Sequence, residues 1–305
     1  RYGDDTVGTR VYEQENPGKI LSNAAKSSTL QFASVINGSI YLLCKVNGPI
    51  VKVNEYTLKE EARYVKDASN WRSIIQVEGN RGLVSAADGV YQIDLATLTL
   101  QEKLTTVGAV NTGDMWKKGD HLYLLQSNGV KIVSASNYLL VKTYANLNRG
   151  FAQTPNGKVW ASTGTRLIGI DNNLDTAGIR LKASIGSFGL DAPTRITAST
   201  KENAVFYHSG KDIYKYIDGD AASINQPFIT MTENPFMVYG AIRYDKHKDY
   251  IIVNGIEGYG AASGVNYLLI YNASSGALVK KVKYGGDGKT VDFTKIYFPN
   301  LTVFH

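Results

Sequence analysis

The sequence predicts an all-β chain, a seven-bladed β-propeller whose N- and C-terminal strands share one blade, and three observations carry this. A polar turn recurs at Asn37-Gly38, Gly79-Asn80, Gly119-Asp120, Asn156-Gly157, Glu202-Asn203, Lys248-Asp249 and Pro299-Asn300, a period of roughly 40 residues filled by strand rather than helix patterns. After each turn the same succession follows: an apolar strand, a tight glycine turn, an alternating strand. No stretch has the period of a long amphipathic helix, while 20 Tyr, 30 Gly and 7 Pro suit short strands joined by tight turns.

The repeats run Ser39–Val65, Gly82–Leu104, His121–Tyr144, Lys158–Thr176, Ala204–Asp220 and Tyr250–Val282. Within them the glycine hairpins are Asn47-Gly48, Asp88-Gly89, Asn128-Gly129, Thr163-Gly164 and Ser209-Gly210. A second polar turn closes each alternating strand, at Asp94, Ser136-Asn137, Asp171-Asn172-Asn173, Asp218-Gly219-Asp220 and Asn272 to Gly276, and a more charged outer strand follows. Apolar inner strands and a charged outer strand are the gradient expected from the axis to the rim of a blade. At the ends, Arg10–Leu21 reads as the second half of a blade, with Asn16-Pro17-Gly18 as its second turn, and Thr294–Phe304 as a first half. Together they are expected to complete the seventh blade and remove the free edges of an open array. With no linker or low-complexity tract, residues 1–305 read as a single propeller domain.

Composition narrows the function classes. Cys44, the only cysteine, lies inside the apolar run Ile40–Cys44, so no intrachain disulfide forms and the thiol reads as core filler. No apolar run approaches the length of a membrane-spanning helix. A start at Arg1, with neither an initiator Met nor a signal segment, is expected of a mature or trimmed form. The net charge of +6 is carried by outer-strand runs such as Lys280-Lys281-Val282-Lys283 and reads as a solvated rim rather than a nucleic-acid interface.

Catalytic motifs are scarce. His121, His208, His247 and His305 stand in different surroundings with no pair at metal-ligand spacing. Gly285-Gly286-Asp287-Gly288 and Gly258-Tyr259-Gly260 do not link a strand to a helix, so neither is expected to cradle phosphate. Ser85-Ala86-Ala87-Asp88-Gly89 is only loosely like the sialidase box, and 3 Trp are too few for the docking repeats of quinone-dependent propellers. The expectation is a protein that is not an enzyme, without metal or cofactor.

What remains is the propeller mouth, where residues just ahead of each innermost strand are expected to converge. In register these are Asn70-Trp71-Arg72, Met115-Trp116, Arg149-Gly150-Phe151, Thr194-Arg195 and Val238-Tyr239, with Lys295 for the seventh blade. Such a ring of aromatics and arginines offers flat apolar area and fork-shaped donors to a large ligand carrying carbonyl, amide or phosphate groups. The competing placement for each aromatic is packing between blades. On the same face Asn254–Asn266 replaces a short hairpin with a long glycine-rich loop, where Glu257 and Tyr259 are the expected contact residues.

The runs VYQIDLATLTL (Val90–Leu100), YLLIYNASSGALVKKV (Tyr267–Val282) and IYFPNLTVF (Ile296–Phe304) resemble the YncE-like seven-bladed propellers found as secreted or surface proteins in gut Bacteroidetes. That group includes surface lipoproteins that capture cobalamin and pass it to an outer-membrane transporter. The resemblance therefore implies an extracellular or outer-membrane location, lipid-anchored if a removed signal carried a Cys, with the periplasm as the alternative. It also implies a corrinoid as ligand. A glycan- or protein-binding propeller of a surface nutrient-uptake complex is the second reading, and a propeller lyase or lactonase the third.

Overall fold

The computed structural model describes residues 29–45, 48–65, 70–185, 196–231, 236–257 and 265–284. These form six four-stranded antiparallel sheets, each pairing its strands in chain order. Blade 1 holds β1 (Thr29–Ile36), β2 (Ser39–Lys45), β3 (Ile50–Asn54) and β4 (Glu60–Tyr64). Blade 2 holds β5 (Trp71–Glu78), β6 (Arg81–Ala86), β7 (Gly89–Asp94) and β8 (Leu100–Lys103). Blade 3 holds β9 (Thr112–Lys118), β10 (His121–Gln126), β11 (Gly129–Ser134) and β12 (Leu140–Ala145). Blade 4 holds β13 (Arg149–Gln153), β14 (Val159–Ser162), β15 (Arg166–Ile170) and β16 (Thr176–Arg180). Blade 5 holds β17 (Ile196–Ala198), β18 (Ala204–Ser209), β19 (Asp212–Ile217) and the two-residue β20 (Ile229–Thr230). Blade 6 holds β21 (Phe236–Asp245), β22 (Tyr250–Glu257), β23 (Val265–Asn272) and β24 (Leu278–Tyr284).

The fold is all-β and of the β-propeller class, with six blades among the described residues where seven are expected. The expected seventh, on Arg10–Leu21 and Thr294–Phe304, lies outside them. No described helix is long and apolar enough to cross a membrane.

Burial follows the apolar-to-charged gradient. The second strands β6, β10 and β18 are buried at nearly every position, because both faces of a mid-blade strand are covered and alternation gives way to a continuous apolar run. The outer strands β12 and β16 are largely exposed.

Two compact units divide the chain, the first carrying blades 1 to 3 and the second blades 4 to 6, with the division passing through β11 and β12. In each unit, core clusters of the described residues form seams between consecutive blades. In the first, Tyr41, Leu43 and Ile50 of blade 1 meet Trp71, Tyr91 and Leu98 of blade 2, and Leu83 and Val90 meet Met115 and Leu124 of blade 3. In the second, Trp160 and Leu167 meet Tyr207 and Tyr216, and Phe206 and Ile213 meet Ile251 and Leu269.

The second polar turn of blades 1, 2 and 6 is fixed by one local device. Asn54 Oδ1 accepts from the Tyr56 and Thr57 N–H groups at 3.0 and 2.9 Å, Asp94 Oδ1 from Ala96 and Thr97 at 2.9 and 2.8 Å, and Asn272 Oδ1 from Ser274 and Ser275 at 3.0 and 2.8 Å. The chain then passes through a left-handed residue: Leu58, Leu98, Tyr138 and Leu174, with φ between 55° and 62°. Left-handed backbone costs a non-glycine residue about 1–2 kcal/mol, whereas burying a leucine stabilises by about 1.5–3 kcal/mol. Burial wins, and all four side chains are buried. In blade 6 glycine holds the slot: Gly276 has φ 74°, and a Cβ there would stand 3.1 Å from the Phe228 carbonyl oxygen.

Candidate functional site

Each innermost strand starts beside the glycine hairpin of its own sheet, and an asparagine precedes that start in blades 2, 3 and 4. The Asn70 and Asn111 carbonyls accept from Ala87 and Ser127 at 3.1 Å, and the Asn148 N–H donates to Ser162 at 3.1 Å. This fixes which side chains stand at the hairpin end of each blade.

In the first unit that end is built largely from buried groups. Trp71 opens β5 and is fully buried. Its indole N–H donates to the Gly48 carbonyl at 3.1 Å, and its ring meets Tyr64 and Tyr91 edge-on, centroids 6.1 and 6.3 Å away. Trp71 is thus a seam residue between blades 1 and 2 and not part of an open aromatic ring, because Tyr64 and Tyr91 enclose its ring and the Gly48 carbonyl takes its N–H. Arg72 is buried as well, and desolvation pulls its pKa below the usual arginine range. Trp116 does not stand at the hairpin end. β9 begins at Thr112, so Trp116 pairs with Tyr123 near the Gly119-Asp120 turn, whereas Trp71 pairs with Ala86 near the hairpin. The two tryptophans stand at opposite ends of equivalent strands. In Trp71's place blade 3 has Thr112, whose hydroxyl lies 3.2 Å from Gln126 Nε2. That amide also donates to the Val107 carbonyl at 3.1 Å, as does Lys131 Nζ.

In the second unit the hairpin end of blade 4 is more open. Arg149 opens β13 and pairs with Ser162. Its partly buried guanidinium lies across Gly164, where a Cβ would come within 3.0 Å of Cζ and nearer still to Nε. Gly164, at φ 92°, satisfies both a left-handed hairpin and this close approach. Ser162 Oγ stiffens the tip, donating to the Arg166 carbonyl at 2.8 Å and accepting from the Gly164 N–H at 2.9 Å. Arg149 Nε is buried and makes no hydrogen bond among the described residues, and desolvation lowers the pKa of the group. With Nε enclosed, such a guanidinium can donate from its two terminal nitrogens to a carboxylate, phosphate or amide oxygen that displaces its remaining water.

The other expected contacts divide. Phe151 is buried at 2 % exposure, a packing residue rather than a platform. Tyr239 lies within β21 where the register shifts between Val238 and Ile242, and Glu257 is the last residue of β22. Arg195 and Tyr259 lie outside the described residues, as do Thr194 and Lys295. The long loop is shorter than expected: β22 and β23 stay paired through Gly255–Tyr267, Ile256–Asn266 and Glu257–Val265, because backbone pairing continues past Asn254 despite the glycine. Arg166, Arg180 and Lys182 at the blade 4 end went unrecognised in the sequence. Their signal is slight, an arginine one residue before the buried Leu167 and another at the close of the outer strand. No three described His, Cys, Asp or Glu residues come together as a metal site.

A family model described as "Domain of unknown function (DUF5074)" matches residues 1–305. No curated protein matches the sequence significantly. Among solved structures, a quinoprotein alcohol dehydrogenase-like protein from Bacteroides thetaiotaomicron is similar, with TM-score 0.68 and 20% identity over 83% of this chain. The chain spans 66% of that protein's length. The U3-55K protein is similar with TM-score 0.62 and 11% identity, covering 85% of this chain and 83% of its own. The computationally designed Ika8 protein has TM-score 0.56 and 14% identity, covering 83% and 73%. At these identities the likeness speaks for the propeller fold.

Proposed function

From the premise that this chain belongs to the DUF5074 family, we propose that it is a ligand-binding propeller of the extracellular or outer-membrane surface, not an enzyme, with a corrinoid such as cobalamin as the first ligand to test. The observation that carries the binding reading is Arg149. A folded chain gains little by holding a guanidinium partly out of water with no ion pair to a described carboxylate, so the arrangement is read as preorganised to offer its terminal N–H groups to an oxygen-bearing ligand. The corrinoid rests on the sequence resemblance alone, and a glycan or protein ligand is the alternative.

Calorimetric titration of the intact chain with cobalamin, cobinamide and host-glycan oligosaccharides tests this reading. The expected result is micromolar or tighter binding of one of them, weakened about tenfold or more by Arg149→Gln through loss of a charge-assisted contact. No cobalamin binding at micromolar concentration removes the corrinoid. Unchanged affinity of R149Q for whichever ligand binds moves the site away from blade 4.

A further inference from the structure

Four cations come to the hairpin end of blade 4. Arg149 opens β13, Arg166 opens β15, Arg180 closes β16, and Lys182 follows two residues later. Arg166 and Arg180 are register partners, both exposed. Like charges directly opposite on neighbouring strands repel and destabilise the pair. Lys182 is held beside them because Leu181 N–H donates to the Thr165 carbonyl at 2.9 Å and Ile185 N–H to the Gly164 carbonyl at 2.8 Å.

No ion pair joins any of the four to a described carboxylate. Blade 2 differs, since Lys103 at its hairpin end lies 3.4 Å from Asp88. Strand alternation sets Arg149 on the face shared with Ser162 and Leu167 and the Arg166–Arg180 pair on the other. The two sets flank the tip formed by Thr163, Gly164 and Thr165.

We propose that the hairpin end of blade 4 is a polyanion-recognition site, taking a ligand with several phosphate or sulfate groups, with Arg149 as inner fork and Arg166, Arg180 and Lys182 as outer contacts. The proposal deepens the binding reading above by naming the ligand class. Two anionic groups on one ligand suit cations that flank a tip better than a single small ion does. Binding of such a ligand also removes the Arg166–Arg180 repulsion.

The test titrates the full chain with inositol hexakisphosphate and with a heparin-derived sulfated tetrasaccharide, which separate the phosphate from the sulfate source, and with inorganic phosphate as the single-ion control. Micromolar binding of at least one polyanion is expected, falling steeply with added salt, with inorganic phosphate at least tenfold weaker. R166Q/R180Q should weaken it about tenfold or more, while K59Q/K280Q, which removes equal charge from exposed positions on other blades, should not. Arg180→Glu supplies a second readout: an opposite-charge pair should raise the melting temperature by about 1–2 °C while polyanion affinity falls.

The proposal is overturned if neither polyanion binds at millimolar concentration, if K59Q/K280Q costs as much as R166Q/R180Q, or if R180E lowers the melting temperature. Polyanion binding without cobalamin binding keeps this site and removes the corrinoid. Cobalamin binding that R149Q and R166Q/R180Q leave unchanged, with no polyanion bound, keeps a binding propeller and removes this site.

Discussion

At Gly164 the absence of one methyl group decides where a charge lies. A Cβ there meets the Arg149 guanidinium, and at φ 92° it is strained in any case. Gly164→Ala should therefore cost about 1–3 kcal/mol of stability and displace Arg149, so denaturant midpoint and polyanion affinity should fall together. Trp71 should behave in the opposite way. Its burial against Tyr64 and Tyr91 makes Trp71→Ala a core deletion costing about 3–5 kcal/mol, while ligand affinity in the molecules that stay folded is unchanged. Urea unfolding followed by calorimetry separates the two effects. From sequence, an aromatic ahead of an inner strand looks the same whether it faces a mouth or a neighbouring blade. For Trp71 and Phe151 only the contacts decide.

The recurring element is the polar turn with its left-handed residue. In Asp94-Leu95-Ala96-Thr97-Leu98 the side-chain acceptor is plain in the sequence, but the conformation of Leu98 is not, since leucine alone disfavours φ of 58°. Seam burial imposes it. Leu98→Gly relieves about 1–2 kcal/mol of backbone strain and removes a buried leucine worth about 2–5 kcal/mol, so a net loss of about 1–3 kcal/mol is expected in chemical denaturation. The reverse change, Gly276→Leu, forces a side chain against Phe228 and Ile229 and should destabilise by at least as much. The strand register is subtler. The Gly119-Asp120 turn is legible, but the start of β9 at Thr112 depends on pairing with Gln126, and that places Trp116 away from the hairpin end.

Across the molecule, buried acids that are neutral at ordinary pH give a stability profile with a definite sign. Tyr41, whose hydroxyl donates to the Leu95 carbonyl at 2.7 Å, has its pKa pushed from 10.0 up to about 12 chiefly by burial. Burial lifts the Cys44 thiol from 9.0 to about 11, and Tyr207 is raised as well. The folded chain holds these protons more tightly than the unfolded chain does. The stability is therefore present in full below about pH 9 and is lost as pH rises toward 12. For Tyr41 the loss is on the order of 3 kcal/mol. Denaturant midpoints between pH 8 and 11 should show the decline, and Tyr41→Phe should flatten it while costing about 1 kcal/mol at neutral pH for the lost hydrogen bond. A profile that stays level through this range would mean the seams open to water.

Pattern alone determined the fold class, six of the repeats and the gradient from buried to exposed strands, because strand alternation, glycine hairpins and polar turns are local and recur in every copy. Asn37-Gly38 and Asp88-Gly89 announce their turns with no help from distant residues. Tertiary structure decided which aromatics pack in seams, which strand end each tryptophan occupies, and that Arg149, Arg166, Arg180 and Lys182 meet at one end of blade 4. Those outcomes depend on partners tens of residues apart. A guanidinium's role is set by what faces it across the sheet, and that is not written in its neighbours along the chain.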